Sequence, residues 1–237
     1  DRVREHRVFV GNVRAGETTL TGSEAQHLVQ VLRVRPGARV RAFDGAGLEA
    51  AGVVTEADAF GVTLELQTPV PSAVEASLRV TLAVALLKGD KLAEVVRRGT
   101  ELGAAEFRLF TSSRCDVREL SVNKLERLRR VAQEAAKQSG RSVVPNVGGA
   151  AKLERLELPG LALVADPYAD ASLRERLAAH APEHVSVVTG PEGGLEPAEV
   201  ALLGDRGALP VRLGARILRA ETAPVALTAA LLIPEAL

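Results

Sequence analysis

The residues best suited to chemistry lie in a glycine-rich loop at residues 189–194, which read Thr-Gly-Pro-Glu-Gly-Gly. The loop follows an apolar stretch with the pattern of a buried strand. Glycines let the backbone approach a ligand and expose its amide groups, so the loop predicts a small-molecule site. The alternative is a tight turn between a strand and a helix that binds nothing. The loop lacks the motifs of a P-loop and of a dinucleotide fold, and it therefore supports neither ATP nor NAD.

A second segment, at residues 211–224, has a similar order of features: the end of a strand, a glycine turn, a charged cluster and the start of a helix. Glu221 or Thr222 could cap that helix, with Pro224 in its first turn. Taken alone, the segment is an ordinary start of a helix, and its apolar residues are ordinary core residues.

The first seventy residues predict short strands around one helix. A capping box at residues 23–26 predicts the start of that helix. Turn residues separate the strands, so we predict a small barrel or sandwich in a domain at 1–70, with a linker near 68–76. The strands are predicted at 6–10, 39–43, 48–55 and 62–66.

From residue 78 onward, apolar strand patterns alternate with helical patterns. This alternation predicts an α/β domain at 76–237, with a parallel sheet covered on both faces and ligands at the carboxyl ends of its strands. Strands are predicted at 78–87, 106–111, 161–165 and 184–189, and helices at 90–102, 122–139, 172–180 and 197–203.

Composition excludes several classes of protein. The chain has 237 residues, of which 46% are apolar and 25% charged, so disordered, collagen-like and coiled-coil proteins are excluded. We expect a cytoplasmic protein without a signal peptide, because no run approaches the roughly 20 apolar residues of a membrane span. Cys115 is the one cysteine, so we expect neither a disulfide scaffold nor a metal site.

The charge is balanced overall but unevenly placed. Residues 88–152 contain 14 cations and 8 anions, a net charge of +6, whereas the segments on either side have net charges of −1 and −5. Of the 30 cations 25 are arginine, which suits bidentate phosphate contact. A nucleic-acid partner is one explanation, and a compositional bias of the host is the other.

Together, the glycine-rich loop and the second segment resemble a known class of enzymes. The phrases at 190–194 and 213–223 are similar to the paired signature of the SPOUT class of RNA methyltransferases. Within that class they closely resemble the RsmE family, the 16S ribosomal RNA (uracil-N3) methyltransferases. Phrases at 7–9, 27–33, 100–103 and 134–141 extend the resemblance over nearly the whole chain.

The resemblance implies an α/β fold with a SPOUT-type parallel sheet and a C-terminal trefoil knot, preceded by a small PUA-like β-barrel that binds RNA. It implies a homodimer that methylates uracil N3 in 16S ribosomal RNA, either free or within the 30S subunit. It also implies S-adenosylmethionine as the cofactor, with no metal. The residues expected to bind this cofactor are Thr189, Gly190, Pro191, Glu192, Gly193, Gly194, Leu213, Gly214, Ile217, Leu218 and Thr222.

Uracil N3 is a poor nucleophile while it carries its proton. A carboxylate could accept that proton, for which Glu221 and Glu101 are candidates. An arginine could instead stabilise the resulting anion, for which Arg219 and Arg141 are candidates. We favour Arg219 beside the base with Glu221 close by, while Glu221 has the alternative of only capping a helix.

A base in structured RNA must leave its stack to reach such a pocket, and binding must supply the energy. Each candidate contact has the alternative of being a solvated surface charge. The candidates are Arg7, His27, Arg33, Arg35, Lys88, Arg97, Arg98, Arg114 and Arg118. Two other functions stay open, a SPOUT enzyme that methylates a ribose 2′-hydroxyl and a non-catalytic protein that binds ribosomal RNA.

Overall fold

A computed structural model describes residues 5–233 and divides the chain into two units. The first unit comprises Asp1–Glu75 and Ala136–Val144, and the second comprises Ala76–Ala135 and Pro145–Leu237. The sequence prediction placed residues 136–144 in the second domain. The structure assigns them to the first because they hydrogen-bond with its residues, which the helical pattern of residues 122–139 does not reveal.

The first unit contains one six-stranded sheet with the order β1-β3-β4-β5-β2, in which β6 also pairs with β4. Strands β1 and β3 are parallel, and the other pairs are antiparallel. Its elements are β1 (His6–Phe9), β2 (Gly16–Leu20), α1 (Gly22–Gln26), a π-helical turn (His27–Val31), β3 (Arg39–Phe43), β4 (Leu48–Ala57), β5 (Val62–Leu66) and β6 (Val70–Pro71).

Alternation within the strands determines which face of this sheet is buried. In β5, Val62, Leu64 and Leu66 point into the core while the residues between them are more exposed. Leu28 of the π-helical turn is also fully buried in this core. The strands β2 and β6 were not predicted from the sequence.

The predicted capping box at residues 23–26 is wrong. Helix α1 begins at Gly22 after Thr21, and no side chain caps its amino end. Glu24 instead accepts hydrogen bonds from the backbone N–H of Phe9 at 3.1 Å and from the Lys137 ammonium at 2.6 Å. Tertiary partners therefore use a carboxylate that lies near the start of the helix.

An ion pair ties the segment at 136–144 to the rest of the first unit. Arg141, which is 5% exposed, donates from Nε and Nη2 to Oε2 of Glu75 at 3.1 and 2.8 Å. The other oxygen of Glu75 accepts from the backbone N–H groups of Ser142 and Val143 at 3.0 and 2.9 Å. Arg7 adds a hydrogen bond of 2.8 Å to the Arg141 carbonyl.

The second unit contains a seven-stranded sheet with the order β10-β8-β7-β12-β11-β13, with β9 also paired to β8. Its strands are β7 (Arg79–Ala85), β8 (Glu106–Thr111), β9 (Asn146–Val147), β10 (Ala151–Lys152), β11 (Leu161–Ala165), β12 (His184–Thr189) and β13 (Leu209–Val211). The helices are α2 (Lys91–Leu102), α3 (Val122–Ser139), a 3₁₀ turn (Leu153–Arg155), α4 (Leu173–His180), α5 (Pro197–Asp205) and α6 (Thr222–Leu232).

Every pair of strands in this second sheet is parallel, as the sequence predicted. The central strands β7 and β12 are buried along nearly their whole length, because helices cover a parallel sheet on both faces. Helix α6 packs against α2, β7 and β12. Within residues 5–233, no helix has both the length and the apolar character that a membrane span requires.

We expect Arg141→Ala to lower the free energy of unfolding by about 2–4 kcal/mol, because it leaves the Glu75 carboxylate without its buried cation. Chemical denaturation of the whole chain would measure the loss. The matched control is Arg14→Ala, since Arg14 is exposed, and its change should be within about 0.5 kcal/mol. Equal effects of the two substitutions would contradict a stabilising role of the ion pair.

Candidate functional site

Three loops of the second unit surround a cleft of about 560 Å³, a volume typical of small-molecule sites. They follow β11, β12 and β13, which are neighbours in the sheet and run parallel, so their carboxyl ends lie at one edge. The residues lining the cleft are 165–168, 189–195, 211, 213 and 216–220, together with Arg114, Val200 and Ala223.

The glycine-rich loop contributes every one of its predicted residues, 189–194, to the cleft. The Gly194 N–H donates to the Pro191 carbonyl at 2.9 Å, which closes a tight turn. A side chain at Gly190 would place its Cβ 3.0 Å from the backbone nitrogen of Leu195. The close return of the chain therefore favours glycine at position 190.

Thr189 lies at the base of this loop, at the end of β12. Its side chain is 1% exposed, and its hydroxyl has no hydrogen-bond partner in the described part of the chain. Buried hydroxyl groups usually have a partner, because an unpaired one loses its bonds to water without replacement. A bound ligand with a polar atom would satisfy this group.

Lys91, the first residue of α2, joins two of the segments around the cleft. Its ammonium lies 3.1 Å from Oε1 of Glu192 in the glycine-rich loop and 3.5 Å from Oε2 of Glu221 before α6. The backbone N–H of Lys88 adds a hydrogen bond to Glu192 at 3.2 Å. The sequence did not predict this role for Lys91, since its partners lie far away along the chain.

These contacts keep Lys91 and Glu192 charged. The hydrogen bond from Lys91 to Glu192 raises the pKa of the Lys91 ammonium, with a smaller contribution from Glu221. Burial acts to raise the pKa of Glu192, but hydrogen bonds from its own backbone, Lys88 and Lys91 outweigh burial and lower it. The negative charge of Glu192 is therefore already paired within the protein.

The loop after β11, at residues 165–168, was not predicted as part of the site. Its position is set by a hydrogen bond of 2.9 Å from the Asp166 N–H to the Val211 carbonyl and by Arg212, which donates to the carbonyls of Ala169 and Asp170. Tyr168 at the cleft is 82% exposed. The end of a predicted strand was the one sequence signal that could have identified this loop.

Only part of the second predicted segment, at residues 211–224, lines the cleft. Leu213, Ile217, Leu218 and Arg219 line it, as does the unpredicted Arg216. Ile217 is 70% exposed, so it is not a core residue. The predicted cofactor residues outside the lining are Gly214, which has a left-handed backbone with φ +105°, and Thr222, which is exposed at the start of α6.

The predicted catalytic residues are separated by the fold. Arg219 is exposed at the cleft, and its carbonyl accepts the N–H groups of Thr222 and Ala223. Glu221 occupies the cap position of α6 but its side chain makes no capping bond and pairs with Lys91 instead. Glu101 is exposed on α2 and does not line the cleft.

Arg141, the fourth predicted catalytic residue, lies in the first unit. Its guanidinium is buried against the Glu75 carboxylate, so the ion pair gives Arg141 a structural role within the first unit. Its predicted role in catalysis stays a prediction.

Several predicted RNA contacts are engaged within the protein. Arg7 is mostly buried, donates to Ser142 and lies 5.0 Å above the ring of Phe43, so its guanidinium is already engaged within the first unit. Arg118 donates to the carbonyls of Ser112 and Ser113. Arg114 lines the cleft and donates to the Gly193 carbonyl at 3.1 Å.

The other predicted RNA contacts fall into two groups. Lys88 pairs with Asp116 at 2.8 Å, and Arg98 pairs with Glu94 on the same helix. The remaining arginines of the predicted set are exposed and have no ion pair within residues 5–233. His27 is partly buried at the start of the π-helical turn. These arginines are Arg33, Arg35 and Arg97.

Protein ligands for a metal ion do not converge in the part of the chain that the structure describes. Among residues 5–233, no three His, Cys, Asp or Glu side chains are grouped so that they could hold one. The polar residues at the cleft are Thr189, Tyr168, the carboxylates Asp166 and Glu192 and three arginines, and together with the backbone amides of the loops they suit an organic ligand.

Family models match both parts of the chain. A model of the RNA methyltransferase domain matches residues 74–232, and a model of the RNA methyltransferase PUA domain matches residues 20–67. Ribosomal RNA small subunit methyltransferase E of Synechocystis sp. is 36% identical over 94% of this chain and 75% of its own length. The protein of the same name from Bacillus subtilis is 33% identical over 87% of this chain and 86% of its own.

Solved structures agree with these matches. Ribosomal RNA small subunit methyltransferase E from Neisseria gonorrhoeae, bound to S-adenosyl methionine, is similar with a TM-score of 0.88 and 28% identity, covering 96% of this chain and 97% of that one. A putative methyltransferase from Legionella pneumophila in complex with the same cofactor has a TM-score of 0.85 and 26% identity, covering 97% of each chain. The resemblance seen in the sequence is confirmed, and the chain belongs to the ribosomal RNA small subunit methyltransferase E family.

Proposed function

We propose that this protein transfers a methyl group from S-adenosylmethionine to N3 of a uridine in 16S ribosomal RNA. The observation that carries the proposal is the convergence of the two glycine-containing segments, after β12 and after β13, on one cleft. The relatives named above are small-subunit ribosomal RNA methyltransferases, and two similar structures hold S-adenosylmethionine.

The residues at the cleft suit this cofactor. Leu195, Leu213 and Leu218 offer apolar surface for an adenine ring, and the backbone of the glycine-rich loop offers amides. The unpaired hydroxyl of Thr189 can exchange a hydrogen bond with a polar atom of the cofactor. The cofactor would thus be held mainly by backbone and apolar groups.

Bound S-adenosylmethionine supplies an electrophilic methyl group on a sulfonium whose positive charge disappears during transfer. A free carboxylate beside that charge would stabilise the ground state more than the transition state. Glu192 is the carboxylate in the glycine-rich loop, and Lys91 at 3.1 Å neutralises it. At the glycine-rich loop, the protein therefore contributes positioning of the two reactants more than charge attraction to one of them.

The uracil becomes a nucleophile at N3 once it loses its N3 proton, which solvent water accepts in this proposal. Arg219 stands at the cleft without an ion pair in the described residues, so its guanidinium can stabilise the negative charge that spreads over N3 and the two carbonyl oxygens. Glu221 lies two residues away and is paired with Lys91. We assign Arg219 the stabilisation of the anion and Glu221 the positioning of the Arg219 loop.

The finer features of the fold are part of the same proposal. After β13 at the sheet edge, the chain passes the cleft and returns in α6 to pack on β7 and β12 near the centre. This path supports a trefoil knot in the second unit, although knots are rare in proteins. We also propose a PUA-like barrel for the first unit, and a homodimer that acts on ribosomal RNA in the cytoplasm.

Thr189→Val should weaken S-adenosylmethionine binding about three- to tenfold, because it removes one hydrogen bond while keeping the shape of the side chain. Isothermal titration calorimetry on the purified chain would measure the change. Thr189→Ser, which keeps the hydroxyl, serves as the matched control and should bind nearly normally. Unchanged affinity of the valine variant would show that the hydroxyl does not face the cofactor.

Arg219→Ala should lower kcat by about 10²-fold, the typical cost of losing one group that stabilises a developing anion. Glu221→Gln should lower it by less than about tenfold, whereas loss of a general base costs about 10²–10⁴. The assay is the formation of N3-methyluridine in 16S ribosomal RNA, detected by nucleoside mass spectrometry. Methylation of ribose instead would overturn the proposed position, and a larger effect of Glu221→Gln would make Glu221 the base.

Affinity for the RNA should fall steeply with salt, because cationic side chains displace counterions from phosphates. Replacing Arg33 and Arg35 together by alanine should reduce the slope of log affinity against log salt by about 1.4, because each phosphate contact to a single strand contributes about 0.7. Arg14→Ala is the control for loss of an exposed cation. An unchanged slope in the double variant would remove these residues from the RNA interface.

A further inference from the structure

The first unit contains a second cleft, of about 360 Å³, that the proposed methyl transfer does not use. It lies between α1 with the π-helical turn and the tight turn that connects β4 to β5. The side chains that matter for its chemistry are Gln26 and Gln30 on one side and Asp58 and Phe60 on the other. We propose that this cleft binds one unpaired RNA base, with Phe60 as the stacking surface.

Phe60 is held out toward solvent by its own turn. Oδ1 of Asp58 accepts hydrogen bonds from the backbone N–H groups of Phe60 at 2.7 Å and Gly61 at 3.0 Å. A Cβ at Gly61 would lie 2.7 Å from the carbonyl oxygen of Leu20, so the turn sits directly on neighbouring backbone. The turn is therefore defined by close contacts, although its aromatic side chain is largely exposed.

Phe60 is the most exposed phenylalanine in the described part of the chain. Phe60 is 89% exposed, whereas Phe43 in the same unit is fully buried and Phe9 is partly buried. An aromatic face in water gains by stacking on a planar group, and every nucleobase offers one. Exposure alone does not select RNA, so the polar groups around the ring must be considered.

Two amides face the ring across the cleft. Gln26 and Gln30 are four residues apart on consecutive helical turns, and both are exposed. In the described part of the chain, neither side-chain amide has a protein hydrogen-bond partner. Each amide can both donate and accept, as the edge of a base requires.

The charges around the cleft favour a neutral base inside it and place the flanking phosphates outside. Asp58 borders the cleft, so a phosphate inside it would meet a carboxylate. Exposed cations follow the π-helical turn at Arg33 and Arg35. The segment after them is bound to β4 at the end that leads to Phe60, because the Gly37 N–H donates to the Val54 carbonyl and the Val54 N–H donates to the Ala38 carbonyl. The base would enter the cleft while its flanking phosphates lie on the arginines.

The proposal rests on RNA being the substrate and adds a subsite of stated chemistry to it. The chain contains no tryptophan, so Phe60→Trp introduces a single fluorescent reporter. Single-stranded oligouridine should quench its emission by stacking, whereas inorganic phosphate and duplex RNA should not. Val70→Trp is the matched control, because Val70 is 49% exposed and pairs with Glu49 at the opposite end of β4, roughly 25 Å away.

Phe60→Ala should weaken the binding of the same oligouridine about fivefold to 100-fold, because this is the usual loss of affinity when the aromatic partner of one stacked base is removed. Phe60→Trp should retain full affinity for oligouridine. Both variants should bind S-adenosylmethionine normally, because Phe60 does not line the cleft that contains Thr189. Equal quenching of the two tryptophan reporters, or an alanine variant within twofold of the unaltered chain, would overturn the proposal. Emission that changes with protein concentration alone would identify a second copy of the chain as the occupant and would also overturn it.

These failures differ from failure of the proposed function. If the unaltered chain forms N3-methyluridine while Phe60→Ala binds oligouridine normally, the methyl transfer stands and the subsite is wrong. If the unaltered chain forms no methylated uridine but Phe60→Ala loses RNA affinity, the subsite stands and the assignment of the reaction fails.

Discussion

The candidate site depends on the hydrogen-bonded register of three neighbouring parallel strands. Val164 of β11 pairs with Val188 of β12 on one side and with Pro210 of β13 on the other. This register makes the three strands end nearly level, so the loops that follow them open on the same cleft. A shift of one residue in β12 would turn the Thr189 side chain to the opposite face of the sheet. Pro210 is tolerated because β13 is an edge strand.

Charge in this protein is used mostly to hold segments together. Arg141 and Glu75 tie residues 136–144 to the first unit, and Lys91 ties two segments around the cleft of the second. The basic character of residues 88–152 therefore overstates the charge available to a partner. Exposed arginines without an ion pair, such as Arg33 and Arg97, are better candidates for phosphate contact than the net charge of their segment suggests.

Local patterns predicted most of the elements that surround the cleft. Strands β11 and β12 have the bounds predicted from apolar periodicity, and α2 differs by one residue at its start. The short strands β9 and β10 were missed, because two residues carry no measurable periodicity. The start of α1 was predicted wrongly, because the spacing of Ser23 and Gln26 matches a capping box although the helix begins at Gly22 and no side chain caps it.

The sequence by itself determined the family, the alternation of strands and helices, and the two glycine-containing segments, because each depends on residues that are near neighbours in the chain. Only the tertiary structure decided which residues meet. It brought residues 165–168 and Arg216 to the cleft, paired Glu221 with Lys91, and engaged the guanidinium groups of Arg7 and Arg141 within the first unit. The physical reason is that ion pairs and strand neighbours join positions tens of residues apart. The sequence shows that a residue is cationic, but it does not show whether that side chain is exposed or buried beside a carboxylate.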